Sequence, residues 1–182
     1  MVRWVVVGVL WAALILVVGC GGDDDAPDES ATATATVAVT APGDDEEAIL
    51  EYSFKVIDWG ERLRVASLAI AEQIGAYGQD IATMEEQPRR DAVYAAFETV
   101  AAVRAEYRET LPPPSLGDDH ERLGESLASF ADAQQSVTLA YAAWDQRETD
   151  AVSLQLGAVV DAMNDANTML NQVISDVSNP QQ

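Results

Sequence analysis

Cys20 and His120 are the only cysteine and the only histidine in this chain, and Lys55 is its only lysine. That inventory limits the chemistry on offer. A nucleophilic triad needs a histidine or lysine base beside a serine or cysteine, and no spacing suggests such a pairing. Covalent haem attachment needs a Cys-x-x-Cys-His run, which the chain lacks. A di-iron carboxylate bundle needs Glu-x-x-His pairs, but the residue three before His120 is Gly117. A non-covalent haem held by His120 and Met84, Met163 or Met169 remains open on ligand type alone. The carboxylate pairs Glu85-Glu86, Asp118-Asp119 and Asp161 with Asp165 read as solvated faces, because a glycosidase would need two acids in one cleft. The expectation is a protein without catalytic residues, metal site or bound cofactor. His120 is expected to be a structural corner residue bonding a free carbonyl or a carboxylate, with a ligand role as the alternative.

Cys20 is informative through its position. Met1-Val2-Arg3 gives a short positive start, Trp4 to Val18 is apolar apart from Gly8, and Val17-Val18-Gly19-Cys20 closes the run. This is a signal-peptide layout. As a helix the apolar run reaches only about 22 Å, short of the ~30 Å hydrocarbon core, so a stable membrane span is the weaker reading. The four closing residues resemble the bacterial lipobox. That resemblance implies a signal peptide over 1–19, lipid on Cys20 as the mature N-terminus, and a protein held to the cell membrane on the extracytoplasmic side. A lone cysteine forms no internal disulfide, so packing alone must hold the fold.

The chain carries 31 acidic and ten basic residues, a formal charge of −21. Nine acids and no bases fall between Gly21 and Glu47, and from Ala48 onward 22 acids oppose nine bases. Such a surface repels phosphate backbones and anionic headgroups, which argues against nucleic acid and against electrostatic docking on lipid. Residues 20–45 hold Asp23-Asp24-Asp25, an Ala-Thr repeat over 31–36, Pro27 and Pro42, and no aromatic residue. They are expected to be a disordered, self-repelling linker.

From residue 46 to 178 apolar residues recur at steps of three and four, and an all-α, antiparallel up-down four-helix bundle follows, with a short tail over 179–182. Helices are expected over about 46–86, 88–111, 116–147 and 150–177. The first stripe runs from Ile49 through Tyr52, Val56, Trp59 and Leu63 to Met84, and the second from Val93 to Leu111 with Arg104 as a polar entry. The third runs from Leu116 to Trp144 with His120 and Gln134 on it, and the fourth from Val152 to Val177. Gln87-Pro88 should start helix two and Pro112-Pro113-Pro114 should end it, with Ser115 and Asp118 as a capping box for helix three. Thr149 or Asp150 should cap helix four. Helix one is long enough to overhang its partners, so a kink or break is expected at Gly75 to Gly78.

Leu111-Pro112-Pro113-Pro114, His120, Leu123 and the alanine-rich helices through Val177 resemble uncharacterised helical bacterial lipoproteins. That resemblance covers roughly Ile49 to Val177 and implies no activity. Two functions fit these readings. One is a non-enzymatic binding or structural module of the cell envelope, partnered by another envelope protein or by itself, with Phe54, Ile57, Val65 and Leu68 lying off the core stripe either to cover a fifth element or to form a contact face. The other is a sensor or carrier of a small ligand, haem or metal, using a cavity near His120 or beneath the Gly75 to Gly78 segment.

Overall fold

The computed structural model describes residues 44–178. Cys20, the apolar N-terminal run, the acidic linker before Asp44 and the last four residues lie outside the described residues. Four α-helices make up the fold: α1 over Asp44–Gln79, α2 over Gln87–Glu109, α3 over Gly117–Asp145 and α4 over Thr149–Ser178. Short 3₁₀ turns at Ile81–Glu85 and Pro114–Leu116 complete the first two connections. None of the described residues forms a strand.

Side-chain pairs across each seam show the antiparallel order. Trp59 and Gln73 of α1 meet Glu106 and Arg89 of α2. Tyr107 and Arg90 of α2 meet His120 and Asp145 of α3. Arg122 and Ser126 of α3 meet Asp176 and Ala166 of α4, and Ser67 of α1 accepts from Asn167 of α4. The four helices therefore close a ring, up, down, up and down, around one apolar core. Its largest fully buried members are Tyr77, Phe97, Phe130, Leu63, Ile70 and Met84. Small residues let α3 and α4 approach closely: Ala133, Ala140 and Ala166 are buried, and the Ser126 hydroxyl donates to the Ala166 carbonyl at 2.9 Å.

Most of the apolar stripes face inward as the spacing predicts, but a strict seven-residue repeat drifts by about 20° per heptad on a straight helix. That drift corrects two positions. On α3 the core takes Ala133 while Gln134 points to solvent, and on α2 it takes Val103 while Arg104 stays at the margin. Leu111 is 90 % exposed because α2 has already ended at Glu109.

The chain breaks differ from expectation for local reasons. Gly75 and Gly78 both remain helical, and α1 stops only at Gln79. Asp80 then turns extended, and its carboxylate accepts the Ala82 N–H at 3.0 Å while its carbonyl accepts the Thr83 hydroxyl at 2.7 Å. Asp80 thus caps the start of the following 3₁₀ turn, and the chain leaves the α-helix there and not at the glycines. Pro88 falls in the first turn of α2 as predicted. The Ser115–Asp118 capping box does not form: the residue before α3 is Leu116, without a side-chain cap, and its N–H bonds the Pro113 carbonyl at 2.9 Å. The triple proline directs this stretch into a 3₁₀ turn, and Asp118 and Asp119 contribute charge to the first turn of α3 instead.

The α3–α4 corner is a Schellman turn. Arg147 and Glu148 donate their N–H groups to Trp144 and Ala143, each at 2.9 Å, and Arg147 holds φ at 62°. It is the only non-glycine residue with positive φ among the described residues.

Candidate functional site

His120 stands in the first turns of α3, and aromatic residues from α1 and α2 enclose it. The Tyr107 ring stacks on the imidazole with centroids 4.1 Å apart and 16° between planes. The Tyr107 hydroxyl donates to the His120 carbonyl at 3.1 Å. Tyr52 places its hydroxyl 2.8 Å from Nδ1. Burial holds the Tyr52 phenol far above its ordinary range, with the neighbouring Tyr107 and the Asp119 carboxylate adding to it, while burial pushes the His120 imidazole below its usual 6.5. A protonated phenol facing a neutral ring makes Tyr52 the donor and Nδ1 the acceptor, which places the ring proton on Nε2.

Trp59 extends the cluster, edge-on to both Tyr52 and Tyr107. Its indole N–H donates to Glu106 Oε2 at 2.8 Å, and Arg62 grips both oxygens of the same carboxylate at 2.8 Å each. Hydrogen bonds from Arg62 and then Trp59 hold the Glu106 carboxyl below the usual range. The ring of His120 is therefore tied to α1 through the Tyr52 hydroxyl, and not to the free carbonyl or carboxylate expected from the sequence.

The methionines are not brought to it. Met84 is buried in the 3₁₀ turn at the opposite end of the bundle. Met163 lines a groove with Ile70 and Ile74, and Ile70 is 18 residues along α1 from Tyr52, about 27 Å. Met169 follows Asn167, whose Ser67 partner is 15 residues from Tyr52, about 22 Å. The carboxylate pairs do not come together in one cleft: Glu85, Glu86, Asp118, Asp161 and Asp165 are exposed, Asp119 is taken by Arg122, and Glu85 alone of them lines a concavity, beside an Asp145 already paired with Arg90. Lys55 pairs with Glu51 on the surface. No group of three or more His, Cys, Asp or Glu among the described residues is placed to hold a metal ion.

Two surface features stand out. The first is a groove of about 270 Å³ between α1 and α4, lined by Ile70, Ile74, Val160 and Met163 with Ser67, Asn164 and Asn167 as its polar atoms. Gly75 and Ala71 form its α1 rim. The second is the outer side of α1, where Leu50, Phe54, Ile57, Val65 and Leu68 are all exposed, Phe54 by 69 % and Leu68 by 60 %. At 100° per residue these five lie directly opposite Tyr52, Val56, Trp59, Leu63 and Ile70, which face the core. α1 is thus apolar on two opposed faces, one buried and one bare.

The fold and these surfaces define the molecule as an all-α four-helix bundle. Set against known proteins, the chain matches no family model, no curated protein and no solved structure. No helix among the described residues is long and apolar enough to cross a membrane.

Proposed function

We propose that this protein is a lipoprotein anchored at the extracytoplasmic face of the cell membrane through a diacylglycerol on Cys20, and that its bundle is a non-enzymatic binding or structural module of the envelope. The observation that carries the reading is the bare apolar face of α1. A soluble surface this acidic has no need of five large apolar residues in one row, and such rows mark docking surfaces. The lipobox-like Val17-Val18-Gly19-Cys20 supports the anchor. Intact-mass analysis of membrane-extracted protein beside a Cys20→Ala variant tests it. A lipid mass on the native chain that the variant lacks supports the tether, and an unmodified chain retaining Met1 defeats it.

A second reading rests on the α1–α4 groove. Its apolar walls and its serine and asparagine groups suit a slender apolar molecule with one hydrogen-bonding end, carried and not transformed. Met163→Trp would fill that space. Ligand-dependent rises in melting temperature that disappear in this variant would favour the carrier, and no such rise across a panel of lipids and small amphiphiles would sink it.

A further inference from the structure

We infer that the bare face of α1 is a self-recognition surface, on which a second copy of this chain packs antiparallel about a two-fold axis. This deepens the docking-module reading and rests on it. The evidence is in the register. Leu50, Ile57, Arg64 and Ala71 form one seven-residue series along the outer face, and Phe54, Glu61, Leu68 and Gly75 form the interleaved one. An antiparallel pair sets one series against the other. Centring the axis between Arg62 and Leu63 then opposes Leu50 to Gly75, Phe54 to Ala71, Ile57 to Leu68 and Glu61 to Arg64 of the second copy, each twice by symmetry.

Three features of this arrangement are self-complementary. The central layer joins opposite charges: Glu61 and Arg64 are exposed, pair with each other among the described residues at 2.8 Å, and can exchange partners between copies. A parallel pairing would set glutamate on glutamate and arginine on arginine instead. Size also matches, since the large Phe54 and Leu50 meet the small Ala71 and Gly75. A Cβ at Gly75 would touch nothing, and the α1–α4 groove opens beside it, so the second copy's side chains have room to seat. Lastly, the face is electrically neutral at its centre on a domain carrying 22 acids against nine bases from Ala48 onward. Glu51 at its margin is met by Lys55, and Asp58 shares Arg62 with Glu106. Two copies therefore meet opposite charges, not like ones, at the centre of this face.

The test uses the full chain in its own membrane with a photo-reactive phenylalanine analogue at position 54. Self-pairing yields a product of twice the protomer mass whose cross-linked peptide contains Ala71 to Gly75. Glu61→Arg and Arg64→Glu each place like charges in the central layer and lower the yield about tenfold. Co-expressing these two variants restores it, because one copy then supplies only arginines and the other only glutamates at positions 61 and 64. Circular dichroism on each variant confirms that the helices persist. Cross-links from position 54 to a different protein alone would overturn self-pairing while leaving the docking reading intact. The absence of any cross-link, with the charge variants behaving as wild type, would overturn both.

Discussion

Gly124 of α3 leaves the space that the Tyr107 hydroxyl of α2 occupies, and a Cβ at position 124 would overlap that oxygen. The same hydroxyl is the one that bonds the His120 carbonyl, so a missing side chain on one helix lets a ring on another stack over the imidazole.

Gly124→Ala should therefore destabilise the bundle by about 1–3 kcal/mol, the range for overpacking, although alanine is the better helix former. Gly157→Ala, where a Cβ meets open space on α4, should do the opposite and add about 0.5–1 kcal/mol. Urea denaturation of both variants checks the pair. Equal effects would mean that Tyr107 moves aside at no cost.

Arg147 occupies the left-handed corner of the α3–α4 turn, where side chains other than glycine and asparagine pay roughly 1–2 kcal/mol. Arg147→Gly should accordingly raise stability by about 1 kcal/mol, less whatever glycine loses through the flexible unfolded chain. An increased denaturation midpoint without a change in slope is the expected result.

Burial lowers the His120 pKa below its ordinary 6.5. The unfolded chain then binds more protons than the folded one once pH falls below about 6.5, so stability declines as pH drops from there through the folded-state value. The melting temperature should fall over that window, and His120→Gln should flatten the decline. A native slope that persists unchanged in the variant would assign it to other groups.

Glu106 serves two partners that differ in burial. Trp59 is nearly inaccessible, whereas Arg62 and Glu106 themselves are partly open to water. Glu106→Ala should cost about 1–3 kcal/mol by stranding the indole N–H, while Arg62→Ala should cost no more than about 1 kcal/mol, as surface ion pairs do. The tryptophan emission should shift only in the first variant.

The bundle was legible because its apolar spacing is regular over long segments, and Pro88 and the triple proline leave little choice about where α2 lies. Positions near the edge of each stripe were less so: Gln134 and Arg104 fall on a seven-residue grid, but the helices turn every 3.6 residues and carry them out of the core. The histidine cluster was half visible. Tyr52, Trp59, Tyr107 and His120 all fall on inward stripes, yet Tyr52 and His120 are 68 residues apart, and only the closing of the ring sets hydroxyl against imidazole. Glu106 gave no signal at all, since its role comes from an indole on another helix. The apolar residues off the first stripe, from Phe54 to Leu68, signalled a second apolar side, because one helix cannot turn both sides to a single core, but only the structure shows that no fifth element among the described residues covers it.

α1 is unbroken from Asp44 to Gln79, and the large apolar residues of its bare face run from Leu50 to Leu68. Tension between the preceding chain and anything gripping that face would run along a single helix, in line with its hydrogen bonds. The seams with α2 and α4 would bear none of the load, so the core could stay folded while the molecule is pulled.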